Sequence, residues 1–70
     1  MHRTEKDIKR AQKWLRMLGS KVKVTGSWSI GMTSAVCNFQ NKNGLKATGE
    51  LDSATWAALK KKIPWWKRYL

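Results

Sequence analysis

Cysteine and histidine, the residues that brace small domains covalently or through a metal, are nearly missing: Cys37 and His2 are the only ones. A lone cysteine excludes an intramolecular disulfide. One of each also falls short of the four-ligand set of a structural zinc site. Acidic residues are scarce, with four Asp and Glu set against 15 Lys and Arg. No apolar run approaches the ~20 residues needed to cross a bilayer. The opening Met1-His2-Arg3-Thr4-Glu5-Lys6-Asp7 lacks the apolar stretch of a secretory signal. A chain complete as given is therefore expected to be a cytosolic product or to leave the cell by another route. A domain excised from a longer parent would take its signal from that parent.

What remains must fold by apolar packing. At 70 residues the chain makes one small domain, which buries only about 60% of the surface that its unfolded form exposes. Five tryptophans help, because each aromatic ring covers a large area. The net charge of +11 concentrates polyanions at the surface. Nucleic acid, anionic lipid head groups and phosphate-bearing wall polymers all qualify, and charge alone does not choose among them.

Periodicity predicts three helices. Thr4 followed by Glu5, Lys6 and Asp7 reads as a hydroxyl N-cap with acidic residues at the positive end of the helix dipole. Ile8, Ala11, Leu15 and Leu18 then share one arc, flanked by Trp14, with Lys6, Lys9, Arg10, Lys13 and Arg16 on the other side. Gly19 supplies the left-handed residue that closes the helix. Residues 20–31 read as a loop in which Val22-Lys23-Val24 is a candidate short extended piece. Met32, Ala35, Val36 and Phe39 restore the helical period to about Asn41, and Asn43-Gly44 ends it. After a second loop, Leu45 to Leu51, Asp52 caps a third helix with Thr55, Trp56, Leu59 and Ile63 inward. Pro64 forces that helix to end near Lys62.

A faint internal repeat accompanies this pattern. At an offset of 23 residues, Thr25-Gly26 aligns with Thr48-Gly49, Trp28 with Leu51, Ala35 with Ala58 and Val36 with Leu59. Two such units suggest pseudo-symmetric packing around the first helix.

Three segments resemble one family. Ile8 to Gly19, with Gln12 and Leu18-Gly19 in register, resembles the opening helix of the peptidoglycan-binding domains found in bacterial and phage cell-wall hydrolases. Ala35-Val36 through Phe39-Gln40 to Gly44-Leu45 resembles their second helix, and Thr48-Gly49 through Thr55-Trp56 to Leu59 their third. The spacing runs without gaps from Ile8 to Leu59. Departures are Thr25-Gly26 in place of Asp-Gly, Ser29 in place of Gly, Met32 in place of Thr, and an unusually basic surface. The resemblance implies an all-α fold, a compact three-helix bundle with two Gly-containing turn loops. The expected division is a binding domain over residues 1–63 and an aromatic, basic tail over 64–70. It implies a non-catalytic binder of peptidoglycan or another anionic wall polymer, targeting a partner or wall hydrolase, with no cofactor or metal.

The candidate contacts each have two readings. Sugars are bound by aromatic faces with amides and hydroxyls alongside. Trp28 and Trp56 are candidate faces, or they are core. Gln40, Asn43 and Thr48 are candidate polar contacts, or Gln40 ties its loop to a backbone amide. Trp65, Trp66 and Tyr69, interleaved with Lys67 and Arg68, can sit at a membrane interface, stack on sugars or bases, or fold back over the bundle. Lys60, Lys61 and Lys62 are basic contacts or a solvated last turn. The alternative functions are nucleic-acid binding on the basic face of the first helix, and membrane action through the tail. Glu5, Asp7, Glu50 and Asp52 lie at helix ends and turns, where capping explains them better than catalysis. Cys37 has no base partner in the pattern.

Overall fold

A computed structural model describes residues 4–69, with the side chains of Arg68 and Tyr69 outside the description. It contains α1 (Glu5–Met17), α2 (Ile30–Lys42), α3 (Ser53–Lys62) and a 3-10 turn at Trp65–Tyr69. No strand is present among the described residues, so Val22-Lys23-Val24 is part of an irregular loop.

Each helix begins with a side chain that accepts an otherwise orphaned amide. Thr4 Oγ1 accepts from Asp7 N at 3.1 Å, Ser29 Oγ from Met32 N at 3.1 Å, and Asp52 Oδ1 from Thr55 N at 2.9 Å. Caps of this kind contribute about 1 kcal/mol each. The second helix starts two residues before the apolar period does, because Ser29 caps it ahead of an almost fully exposed Ile30.

Two helices end in the same way. Gly19 N donates to the Arg16 carbonyl at 3.0 Å and Ser20 N to that of Leu15 at 2.9 Å. Gly44 N donates to the Asn41 carbonyl at 3.3 Å and Leu45 N to that of Gln40 at 2.8 Å. These are paired 5→2 and 6→1 closures about a left-handed glycine, with φ of 100° at Gly19 and 68° at Gly44. The third helix ends differently: Ile63 turns extended ahead of Pro64, as the clash with the proline ring requires.

Helix α1 packs against both α2 and α3, in a globule of 27 × 23 × 22 Å. The core unites Ala11, Trp14 and Leu15 of α1 with Met32, Val36 and Phe39 of α2, then Leu51, Trp56, Leu59 and Ile63. Trp14, expected at the flank of the arc, is buried within it. A helix covered by two neighbours needs a wider apolar stripe than one covered by a single neighbour.

Candidate functional site

The two bends repeat one hydrogen-bonding device. In the first, Gln12 Oε1 accepts the amides of Thr25 (2.8 Å) and Gly26 (2.9 Å). Its Nε2 donates to the Ser27 carbonyl at 3.1 Å and to Thr25 Oγ1 at 3.3 Å. In the second, Gln40 Oε1 accepts the Gly49 amide at 3.0 Å. Its Nε2 shares its two hydrogens among Thr48 Oγ1 (3.0 Å), the Glu50 carbonyl (3.0 Å) and Thr55 Oγ1 (2.8 Å). Within each bend the threonine hydroxyl accepts the amide two residues on, from Ser27 or Glu50. Both glycines have positive φ, 81° at Gly26 and 76° at Gly49. A Cβ at Gly49 would lie 3.0 Å from Thr33 Cγ2 and 3.3 Å from Cys37 Sγ, so close approach as well as φ requires glycine there.

These contacts decide the reading of several candidates. Gln40 is wholly buried and its amide is fully engaged, so it shapes the bend from within and is corrected from ligand contact to brace. Trp56 is likewise corrected: it is 7% exposed and its ring lies 5.3 Å from that of Trp14, tilted by 31°. It is core. Trp28 is half-buried against the core, and its indole N–H donates to Thr33 Oγ1 at 2.8 Å. Thr48 is exposed, but its hydroxyl serves Gln40, Glu50 and Asp52.

Asp52 belongs to the same network. Hydrogen bonds from the Thr55 hydroxyl and amide hold its carboxyl below the usual aspartate range. They outweigh partial burial, and the Thr48 hydroxyl adds to them. A depressed folded-state pKa means that the unfolded chain binds more protons, so this contribution rises with pH. It is fully present above the unfolded value, about 3.9, and is lost as pH falls through the lower folded value. Asp52→Asn keeps the cap but cannot titrate. Urea denaturation should therefore show wild type losing more stability than this variant between pH 6 and pH 2.5. Equal losses would mean that Asp52 carries no linkage.

Two concavities flank the last turn of α2. One, of about 340 Å³, lies between α1 and α2, with Leu15, Leu18, Ala35 and Phe39 as apolar lining and Ser20, Lys21, Asn38 and Lys42 as polar groups. The other, of about 300 Å³, lies between the Asn43–Leu45 bend and α3. Its apolar lining is Leu45, Ala54, Ala57 and Ala58, and its polar groups are Asn43, Lys61 and Lys62. Asn43 is half-buried, donates from Nδ2 to the Phe39 carbonyl at 2.8 Å and lines this groove. The structure thus brings Asn43, Lys61 and Lys62 together. Neither Trp28 nor Thr48 lines this groove.

Residues 4–59 match the family described as "Putative peptidoglycan binding domain". The chain belongs to this family. That span holds α1, α2, both glutamine-held bends and α3 as far as Leu59. No match appears among the curated proteins or among the solved structures. The α1–α2 groove was not foreseen. Leu15, Leu18, Ala35 and Phe39 read as ordinary core positions, and a gap between two helices has no local sequence signal. Gln12 stands 13 residues before its bend and Gln40 eight before the other, so the repeat does not pair them and their shared role shows only in the fold.

In Trp65–Tyr69 the two indoles are largely exposed, and Lys67 Nζ stands 5.1 Å from the Trp66 ring centroid. The tail indoles therefore do not fold back over the bundle. The contacts expected of the Arg68 and Tyr69 side chains lie outside the described residues. No described helix is long and apolar enough to cross a membrane.

Proposed function

We propose that this chain is a non-catalytic module that binds bacterial cell-wall peptidoglycan through the two grooves beside the last turn of α2. In this role it delivers a partner or a wall hydrolase to its substrate. The family match over residues 4–59 carries the reading. The domain proper runs to Ile63, whose side chain completes the core, and residues 64–70 form an appendage.

The groove chemistry supports this. Peptidoglycan presents short peptides rich in alanine methyls and carboxylates, strung on sugars bearing amides and hydroxyls. Small methyl groups fit beside Ala54, Ala57, Ala58 and Leu45, while Lys61 and Lys62 supply cations for a carboxylate. Asn38 and Ser20 in the other groove offer the amide and hydroxyl that a sugar substituent needs. Three of the four acidic residues serve as first-turn charges, Glu5 and Asp7, or as a cap, Asp52, which supports binding without catalysis.

Purified protein should co-sediment with isolated sacculi, including sacculi stripped of phosphate-bearing polymers. Lys61→Ala with Lys62→Ala should weaken the association about three- to tenfold, the scale of two solvent-exposed ion pairs. Protein that stays in the supernatant at low and moderate salt would refute the reading. So would retention only by unstripped sacculi or by a DNA control.

A further inference from the structure

From the exposed aromatic turn at the C-terminal end of α3 we infer a second interaction surface, one that fits the head-group region of an anionic lipid bilayer. Trp65 is 70% exposed and Trp66 55%, in a domain whose other described tryptophans are buried or half-buried. Indoles prefer the boundary between head groups and acyl chains, where an apolar ring and a polar N–H are both accommodated. Cations stand on both sides of them in sequence. Lys60, Lys61 and Lys62 are exposed in the last turn of α3, and Lys67 follows in the turn itself. Basic residues beside interfacial aromatics form the pattern that draws a protein to anionic head groups. The net charge of +11 adds long-range attraction.

The anchorage suits this role. Ile63 is 2% exposed and closes the core, Pro64 fixes the next backbone step, and the Lys67 amide donates to the Pro64 carbonyl at 2.9 Å. The indoles are therefore held outside the globule by a short, ordered turn. A bilayer contact there would leave the α1–α2 groove, which contains none of these residues, to the wall.

Two observations favour lipid over a stacking ligand such as an exposed base. The Lys67 ammonium stands over the Trp66 ring and occupies a face on which a base would stack. In a 3-10 turn, neighbouring side chains leave the axis about 120° apart, so Trp65 and Trp66 cannot clamp one flat ring between them. A fluid interface imposes no such geometry. It takes each indole at its own angle, and the ammonium above Trp66 can meet a phosphate.

The test is flotation of the full-length chain with vesicles of phosphatidylglycerol and phosphatidylcholine, beside pure phosphatidylcholine vesicles and a fluorescent single-stranded oligonucleotide. Binding to the anionic vesicles is expected, at least about tenfold above the neutral ones and falling with salt. Trp65→Ala with Trp66→Ala should reduce it about tenfold or more. The same variant should keep its melting temperature and its retention by sacculi, so failure here is distinct from failure of the wall reading. In wild type, brominated phosphatidylglycerol should quench part of the tryptophan emission, and the double variant should lose that quenched part. The proposal is overturned by absence of flotation at low salt, by undiminished flotation of the double variant, or by wild-type emission that brominated lipid leaves unchanged. An oligonucleotide bound more tightly than the vesicles, in a manner that needs both indoles, would overturn it in favour of nucleic acid.

Discussion

Replacing Trp56 by alanine should destabilise the fold by about 3–5 kcal/mol, the range for truncating a buried tryptophan. A domain of this length has about 4–10 kcal/mol in total, so the variant should be close to unfolded at physiological temperature. Its melting midpoint should fall by more than about 12 °C. The cause is local: Trp56 packs against Trp14 at 5.3 Å inside a cluster that Leu51, Leu59 and Ile63 complete, and none of them can close so large a gap. Trp56→Phe should cost less, since a ring remains. Calorimetry and sacculus sedimentation of the same samples distinguish the roles of this ring. A variant with the wild-type midpoint and lost sedimentation would return Trp56 to the ligand surface.

Gln40→Ala should cost about 3 kcal/mol, even though the residue contributes little apolar area. Truncation leaves the Gly49 amide without its buried acceptor and removes the donor from Thr55 Oγ1 and the Glu50 carbonyl, and an unsatisfied buried group costs about 1–3 kcal/mol. Gln40→Glu should rescue little. It restores an acceptor for Gly49 but removes both donors and places a carboxylate in a wholly buried position. Hydrogen exchange supplies a second readout, because the Gly49 amide should lose protection before the amides of α1 do. A wild-type urea midpoint for Gln40→Ala would show that the bend holds without its brace.

Much of the architecture was legible because it rests on short-range chemistry. Thr4, Asp52 and the two helix-ending glycines act through residues only a few positions away, so their roles can be read from spacing. The Thr-Gly repeat was also visible, and the structure gives it a cause: each bend is held by a glutamine from the preceding helix, with Ser29 and Asp52 as equivalent caps. The start of α2 was less legible, because the exposed Ile30 interrupts the apolar period.

The candidate site was harder to read. An amide beside a bend looks the same in sequence whether it faces a ligand or its own backbone. Asn43 lines a groove, while Gln40, three residues earlier, has no exposure at all. The difference comes from tertiary placement. The tail was equally ambiguous, since aromatic and cationic residues suit both packing and exposure. Ile63 settles it by taking the last interior place ahead of Pro64, which leaves the indoles beyond the core.

The glutamine clasps grip main-chain amides and carbonyls, which nearly every amino acid supplies alike. The exposed side chains at Ser27, Lys46 and Ala47 take no part in those clasps. New recognition chemistry can be written onto those tips while the scaffold beneath keeps its shape, provided that the left-handed glycines stay and proline is kept off the gripped amides.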